Sequence, residues 1–214
     1  MKITKVGHCC LLIEVAGKRI MTDPGSFTVT DHVQEHIDIV LITHEHGDHL
    51  HIDSLKEILL INPKVKIITN GAVGKILEEA GIAYEKVEGQ ADLSIEGIYF
   101  EACDAKHVKI FEDYGQVQNT GYFITERLFY PGDAYADPQK DVEILVLPVA
   151  GPWCKVADVI NYAKTIAPQK AFPVHDGLLN EVGLEIQHRV VKTHLEAIGI
   201  DFLNLRSGEE VVIK

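Results

Sequence analysis

Residues 37–49 read Ile-Asp-Ile-Val-Leu-Ile-Thr-His-Glu-His-Gly-Asp-His. The apolar run from Ile37 to Ile42 predicts a buried strand, and the segment from Leu50 to Ile61 predicts a short helix. The loop between them carries four side chains of the types that bind zinc and similar divalent ions, which are His44, His46, Asp48 and His49. Open sheets tend to place their sites at the carboxyl ends of strands, so we expect a metal site in this loop. The alternative, a polar loop that is histidine-rich by chance, does not account for the spacing.

The His-x-His-x-Asp-His spacing at residues 44–49 resembles the leading signature of the metallo-β-lactamase-fold hydrolases. Other segments resemble the rest of that family's pattern: Met21–Gly25 the first motif, His107 the third, Tyr130–Asp133 the fourth and Pro173–Gly177 the fifth. The resemblance extends over nearly the whole chain, from Gly7 to about Gly177. The pairs Gly7-His8 and Asp23-Pro24 are more similar to the lactonase and phosphodiesterase branch than to the antibiotic-degrading branch.

This resemblance implies an α/β (α+β) fold, a four-layer αββα sandwich with the site at one edge. It also implies two divalent ions, which we expect to be zinc, although manganese and iron also suit histidine and aspartate ligands. On this basis the first ion is held by His44, His46 and His107, and the second by Asp48, His49 and His175, with Asp133 bridging them.

The resemblance further implies a hydrolase in which a hydroxide shared by the two ions attacks a small ester-type bond, such as a phosphodiester or a lactone. The expected catalytic carboxylates are Asp48 and Asp23. We expect Asp23 to orient a ligand or the bound water rather than to coordinate directly.

Three candidate residues rest on weaker patterns. His107 has flanks that form no distinctive motif, so a surface histidine in a loop is the alternative. His8 and Trp153 are the expected substrate-binding residues, and the alternatives are a structural histidine and a packing anchor. His188 in the last predicted helix is expected at the surface.

The predicted elements fall into two halves, each with several strands followed by strand–helix units. A two-sheet sandwich with helices on its outer faces satisfies this order, and we predict a single domain over residues 1–214. The helix predicted at Ile52–Leu60 has Asp53 and Ser54 as possible N-caps. The polar connection from Ser26 to Glu35, which includes His32, could cover the cleft.

Composition indicates which kinds of partner the protein binds and in which cellular compartment it lies. The formal net charge of −12 argues against binding to a nucleic-acid backbone, so we expect a small-molecule substrate. No apolar run has the length of a membrane span, about 20 residues, and the first residues do not resemble a signal peptide. The four cysteines form no C-x-x-C pair and are typical of buried thiols in a reducing compartment, which favours the cytoplasm. The sequence leaves the oligomeric state open.

Two alternatives to a small-molecule hydrolase remain at this stage. A non-catalytic metal-binding module on the same scaffold would be expected to lose ligands, whereas the full set is present. An RNA nuclease is disfavoured by the acidic charge and by the short chain. Redox diiron relatives replace the second histidine of the leading motif with glutamate, and this chain keeps His46.

Overall fold

The computed structural model describes residues 1–28 and 34–214. Residues 29–33, His32 among them, lie outside the described residues, and these are half of the predicted polar connection from Ser26 to Glu35. Within the described residues the chain forms fourteen strands, four α-helices and one turn of 3₁₀ helix at Ser26–Thr28. No helix in these ranges has the length and apolar character that crossing a bilayer requires.

The strands are β1 (Lys2–Gly7), β2 (Cys10–Val15), β3 (Lys18–Thr22), β4 (Ile39–Leu41), β5 (Lys66–Thr69), β6 (Glu85–Lys86), β7 (Asp92–Ile95), β8 (Ile98–Lys106), β9 (Gln118–Ile124), β10 (Leu128–Tyr130), β11 (Ile144–Pro148), β12 (Lys170–Val174), β13 (Asp201–Phe202) and β14 (Glu210–Val212). The helices are α1 (Ile52–Ile61), α2 (Gly71–Glu79), α3 (Val156–Ile166) and α4 (Glu181–Glu196).

These strands form two seven-stranded sheets. The first has the order β14-β1-β2-β3-β4-β5-β6, and the second has the order β13-β12-β11-β10-β9-β8-β7. Each sheet is antiparallel on one side, and each becomes parallel where strand–helix units supply the strands, from β3 to β6 and from β10 to β13. The predicted division into two similar halves is therefore present as one sheet per half, with β14 crossing back to pair with β1.

Three layers of apolar side chains separate the four structural layers. The inner faces of the two sheets meet in a core that includes Ile3, Phe100, Tyr122 and Ile213. A second core lies between the second sheet and α3 and α4, and a third lies between the first sheet and α1 and α2. The predicted four-layer αββα sandwich is confirmed.

The residue that caps the N-terminus of α1 differs from the predicted one. The N-cap is His51, whose Nδ1 accepts a hydrogen bond from the backbone N–H of Ser54, so the prediction of Asp53 or Ser54 as the cap was wrong by two or three residues. An imidazole nitrogen can accept this bond as an oxygen does in the usual caps, and for that reason residue-type preferences missed it.

The fold brings the predicted motifs to one edge of the sandwich. Asp23 follows β3, and the histidine-rich loop follows β4. In the second sheet, His107, Asp133 and His175 come directly after or shortly after the ends of β8, β10 and β12. Backbone hydrogen bonds join the two sheets at this edge, from the His175 N–H to the His8 carbonyl (3.1 Å) and from the Thr120 N–H to the Thr43 carbonyl (3.0 Å).

Candidate metal centre

Seven predicted ligands converge in two groups at this edge. In the first group, ring nitrogens of His44, His46 and His107 lie within 4.8 Å of one another. In the second, ligand atoms of Asp48, His49, Asp133 and His175 lie within the same distance of one another. These are the two ligand sets that the resemblance implies, and His107 lies with the first set rather than at the surface.

The Asp133 carboxylate lies between the two groups. Its Oδ2 is 3.3 Å from His107 Nε2 and 4.0 Å from His44 Nε2 in the first group, and 2.8 Å from His175 Nε2 in the second. Its Oδ1 is 3.3 Å from His49 Nε2. A carboxylate in this position can offer one oxygen to each of two ions, whereas an imidazole has a single lone pair to offer.

The buried atoms at this centre fit metal ions. Within the described residues, the buried side-chain atoms without a hydrogen-bond partner are His44 Nε2, His49 Nε2, Asp133 Oδ1, and both ring nitrogens of His175. Buried polar atoms are almost always paired, because an unpaired one costs roughly 1–3 kcal/mol. That all of these atoms belong to predicted ligands indicates that the residues present are suited to holding divalent ions.

Asp23 supports this centre from behind. Its carboxylate accepts hydrogen bonds from the backbone N–H of Thr43 (2.8 Å), the Thr43 hydroxyl (2.8 Å) and the Tyr130 hydroxyl (2.5 Å), and Oδ2 lies 2.7 Å from His49 Nδ1. Because a carboxylate can only accept, Nδ1 of His49 carries a proton, and Nε2, on the side of Asp133, is the nitrogen that could bind a metal ion. This contact agrees with the orienting role predicted for Asp23. The role itself stays a prediction.

The same reasoning fixes the tautomers of two further imidazoles. The Thr43 hydroxyl donates to Asp23, so it accepts from Nδ1 of His44 at 3.1 Å. His107 Nδ1 donates to the Val108 carbonyl at 2.6 Å. In both rings Nε2 is left as the free lone pair and lies on the side of Asp133.

His8 holds Asp48 in the same way. Its Nδ1 accepts from the backbone N–H of Gly177 at 3.1 Å, so Nε2 carries the proton and donates to Asp48 Oδ2 at 3.2 Å. The side chain is buried, and its ring lies 4.2 Å from that of His175, measured between centroids. The structure therefore places His8 as a support for Asp48. Its predicted substrate contact remains untested.

Charge is distributed unevenly among these groups. Burial lowers the pKa of His44 well below its usual range and also lowers the pKa of His46. Burial also opposes a charge on His49 and His175, but the Asp133 carboxylate and other negatively charged neighbours together outweigh it and raise the pKa of both imidazoles well above 6.5. The same pairing, again against the effect of burial, holds the pKa of Asp133 well below its usual value. In the metal-free protein, protons on His49 and His175 therefore balance the negative charge that bound metal ions would otherwise neutralise.

Two backbone features allow the loops to approach one another. A Cβ on Gly25 would lie 1.9 Å from the carbonyl oxygen of Asp48, so no larger residue fits beside the metal loop. Gly132 adopts a φ of +63°, and the Asn119 side chain clamps the turn after it, accepting from the Asp133 N–H and donating to the Pro131 carbonyl. This clamp fixes the backbone that carries the Asp133 side chain.

A buried polar cluster lies behind His175. The Lys5 ammonium donates to both oxygens of Asp176 (2.7 and 2.6 Å) and to the Pro173 carbonyl (2.9 Å), and so holds the chain on both sides of His175. His188 Nε2 lies 2.9 Å from Asp176 Oδ2. The expectation that His188 is a surface residue was wrong, since it is 2% exposed and α4 turns it inward. No sequence motif predicted this cluster, because Lys5 is far from Asp176 and His188 in the chain.

Cys9 is a further residue that the sequence placed only as a buried thiol. Its sulfur lies within 4.8 Å of ring nitrogens of His8, His49 and His175. Burial raises the pKa of this thiol, but the positive charge of these imidazoles outweighs burial and lowers its pKa to about 7. The neighbouring Cys10 points to the opposite face of the sheet, into the core against α1 and α2.

An open cavity of about 450 Å³ leads to the candidate ligands. Four of the candidate ligands line it, which are His46, Asp48, Asp133 and His175. Trp153 also forms part of its wall, with its ring 5.6 Å from that of His107 and 5.3 Å from that of His175. The predicted position of Trp153 at the rim agrees with this wall. A contact with substrate stays a prediction.

Fold and site together define a class of protein, and comparison of the sequence with known families agrees with it. The pattern of the Beta-lactamase superfamily domain matches residues 2–175 of the 214 in the chain. The protein therefore belongs to that superfamily, and its two sheets and histidine motif make it a member with the metallo-β-lactamase fold.

Particular relatives span almost the same length. Over 217 residues the chain is 24% identical to UPF0173 metal-dependent hydrolase MJ1163 of Methanocaldococcus jannaschii, covering 97% of this chain and 98% of that protein. It is 29% identical over 184 residues to Protein Rv0786c of Mycobacterium tuberculosis, covering 84% and 85%. Among solved structures, Igni18, a metallo hydrolase from Ignicoccus hospitalis, superposes with a TM-score of 0.80 at 20% identity, covering 100% and 98%. At that identity the structural likeness shows the fold.

Proposed function

We propose that this metal-dependent hydrolase uses two divalent ions to cleave a small ester-type bond, in a phosphodiester, a lactone or a related compound. Membership of the superfamily and the likeness to MJ1163 support the metal-dependent hydrolase. The observation that carries the two-ion proposal is the position of Asp133, whose carboxylate contacts imidazoles of both ligand groups.

The chain's own residues would divide the work as follows. Two bound ions would supply a water-derived nucleophile near neutral pH and would polarise a carbonyl or phosphoryl oxygen. His44, His46 and His107 would hold one ion, and Asp48, His49 and His175 the other, with Asp133 shared. Asp23 keeps His49 in the tautomer that presents Nε2, and His8 keeps Asp48 oriented toward the cavity. Asp48, which lines the cavity together with Asp133, is the ligand that we propose as a catalytic carboxylate.

The donor set favours zinc among the candidate metals. Five imidazoles and two carboxylates form the two groups, and imidazole-rich sites suit zinc. Manganese and iron are the alternatives, because carboxylates suit manganese and imidazoles also suit iron.

Several features support a small substrate and a reducing compartment. The net charge of −12 should repel a long polyanion, so we propose little affinity for RNA or DNA. The four cysteines are all unbridged, which fits the cytoplasm. Both Ile3 and Ile213 pack in the core between the sheets, which supports one domain over residues 1–214.

The test compares wild type with His46→Ala on three classes of substrate: a generic phosphodiester, a panel of lactones and a structured RNA. His194→Ala is the matched control, because His194 is an exposed histidine on α4. We expect turnover of a small ester by the wild type and the control, and loss of turnover in His46→Ala. Efficient RNA cleavage that His46→Ala abolishes would favour the nuclease. No turnover at all by protein with two ions per chain would favour the non-catalytic module.

A further inference from the structure

The cavity beside the candidate ligands is lined by two kinds of side chain. Besides the candidate ligands, it is lined by apolar and aromatic side chains that together form the apolar wall, those of Ile110, Tyr114, Val117, Pro152 and Trp153. Among the described residues that line it, none is lysine or arginine. The five residues outside the described ranges, Val-Thr-Asp-His-Val at 29–33, include neither type. A negatively charged group against this wall would therefore find no lysine or arginine side chain among the lining residues.

One exposed aromatic ring lines the cavity, and two others contact or neighbour residues near it. In the part of the chain that the structure describes, the aromatic side chains exposed to a large degree are Phe27 (50%), Phe111 (69%) and Tyr114 (74%). Tyr114 lines the cavity, and its backbone N–H bonds to the Phe111 carbonyl in the same turn. The Phe27 ring lies 4.9 Å from that of His8, which in turn holds Asp48. Large apolar side chains left in water at one place commonly mark a binding surface.

The apolar wall is tied to the candidate metal centre through the backbone. Ile110 and Tyr114 lie in the segment between His107 and Val117. The two ends of this segment are joined by a hydrogen bond from the His107 N–H to the Val117 carbonyl (3.0 Å). The next residue, Val108, donates its N–H to the Asp133 carbonyl at 2.9 Å. These bonds fix the wall relative to Asp133, so a substrate group lying on the wall would have a defined position relative to the reacting bond.

We infer that the part of the substrate beyond the reacting bond is apolar and uncharged, and that the substrate is a carboxylic ester or lactone with an aliphatic or aromatic acyl group. This inference rests on the proposed ester hydrolysis. In that reaction a water oxygen bonds to the acyl carbon, the bond from that carbon to the alcohol oxygen breaks, and the alcohol oxygen takes a proton from the water. The alcohol of an ester then leaves, whereas that of a lactone stays attached to the acyl chain as the ring opens. An acyl chain on the Ile110 and Trp153 wall removes apolar surface from water. A phosphate or carboxylate on these apolar side chains would lose hydration, and no lysine or arginine among the lining residues would pair with it.

The first test uses two substrates that differ only in charge. p-Nitrophenyl hexanoate and the mono-p-nitrophenyl ester of adipic acid have acyl chains of the same length, but the second ends in a carboxylate. We expect kcat/KM for the hexanoate to be higher by at least about tenfold, the scale of discrimination that an apolar pocket achieves. Equal values, or a preference for the adipate ester, would overturn the inference. So would faster turnover of a phosphodiester that carries a second phosphate.

A binding measurement separates this inference from the proposed function. Trp153 is the only tryptophan in the chain and lines the cavity, so its fluorescence reports occupancy without turnover. We expect hexanamide to change the emission at lower concentration than adipic acid monoamide does. If neither ester is hydrolysed but hexanamide binds preferentially, the proposed hydrolysis fails and the apolar site stands. If hexanamide has no advantage over the charged amide, the apolar site is wrong whether or not esters are cleaved.

Variants test which residues carry the preference. Ile110→Lys places a cation on the wall and should bring the adipate ester to at least the rate of the hexanoate, whereas Tyr114→Ala should raise KM for the hexanoate more than it lowers kcat. Leu60→Ala is the control, because Leu60 is a highly exposed apolar residue of α1 outside the cavity lining. Metal content and circular dichroism establish that each variant is folded. An unchanged substrate ratio in folded Ile110→Lys would contradict the assignment of this wall.

Discussion

The Asp23 carboxylate and Nδ1 of His49 lie 2.7 Å apart, both fully buried, on the side of the imidazole away from Asp133. This contact decides which nitrogen of His49 is free to bind a metal ion, although Asp23 belongs to neither ligand group. Asp23 also accepts from Thr43, which in turn accepts from His44 Nδ1. One carboxylate therefore contacts a histidine of the second group directly and a histidine of the first group through Thr43.

Replacing Asp23 with Asn should weaken metal binding while leaving the fold intact. Asn tolerates the left-handed φ of +38° at this position, but it cannot accept every one of these bonds with a full charge. We expect a loss of metal affinity of roughly 10- to 100-fold, the usual cost of removing such a supporting carboxylate. Titration with zinc against a competing chelator measures it. Tyr130→Phe, which removes a single donor to Asp23, should have a smaller effect, and an unchanged affinity in Asp23→Asn would refute the orienting role.

Replacing Asp133 with Ala should abolish hydrolysis and empty at least one ion site, because Asp133 is the residue in contact with both groups. Elemental analysis of metal per chain gives the answer directly. Asp137→Ala, a change at an exposed aspartate four residues along the chain, should retain both ions. Full occupancy of two ions in Asp133→Ala would contradict the bridging position.

Removing the metal should lower the melting temperature. Ions that bind the folded state alone stabilise it by mass action, by about 2.7 kcal/mol at a hundredfold excess over the dissociation constant. Melting curves before and after chelation, with metal loss verified, test this. An unchanged curve would count against a preformed two-ion site.

The size of that effect should depend on pH. In the metal-free protein His49 and His175 have raised pKa values, so their protonation contributes stability that is fully present below about pH 6.5 and is lost as pH rises through the folded-state pKa. The metal-free protein should therefore lose stability as the pH rises above 6.5, and the gap to the metal-loaded protein should widen. Melting temperatures of both forms at a series of pH values measure this. A gap that narrows with rising pH would mean that protons on these imidazoles do not substitute for the ions.

Lys5 should contribute strongly to stability through Asp176. Lys5→Met leaves the Asp176 carboxylate buried without its cation, a change that typically costs about 3–5 kcal/mol. Lys2→Met, which removes a lysine paired with Glu14 and Glu210 at the surface, should cost much less. Urea unfolding compares the two variants. If both lose the same small amount, the buried pair is not a significant support for the His175 loop.

Much of the site was readable from local sequence because its ligands occur in short segments at strand ends. The run from His44 to His49 follows a buried strand, and the Pro131-Gly132 turn before Asp133 and the strand before His175 gave similar signals. His107 lacked such a signal, and its place was inferred from chain order and family resemblance alone. The strand predicted at Ile37–Ile42 forms at Ile39–Leu41, so its existence but not its bounds followed from the apolar pattern.

The sequence by itself determined the layered α/β sandwich and the chemical types of the metal-binding groups, since both depend on residue type and spacing along the chain. Only the tertiary structure decided which nitrogen of His44, His49 and His107 is free. It also decided that His188 is buried on Asp176 and that Cys9 lies against three imidazoles. These relationships join residues that are distant in the chain, and they depend on which face of a strand or helix meets which loop. Neither composition nor periodicity contains that information. It arises when the two sheets pack and their edges meet.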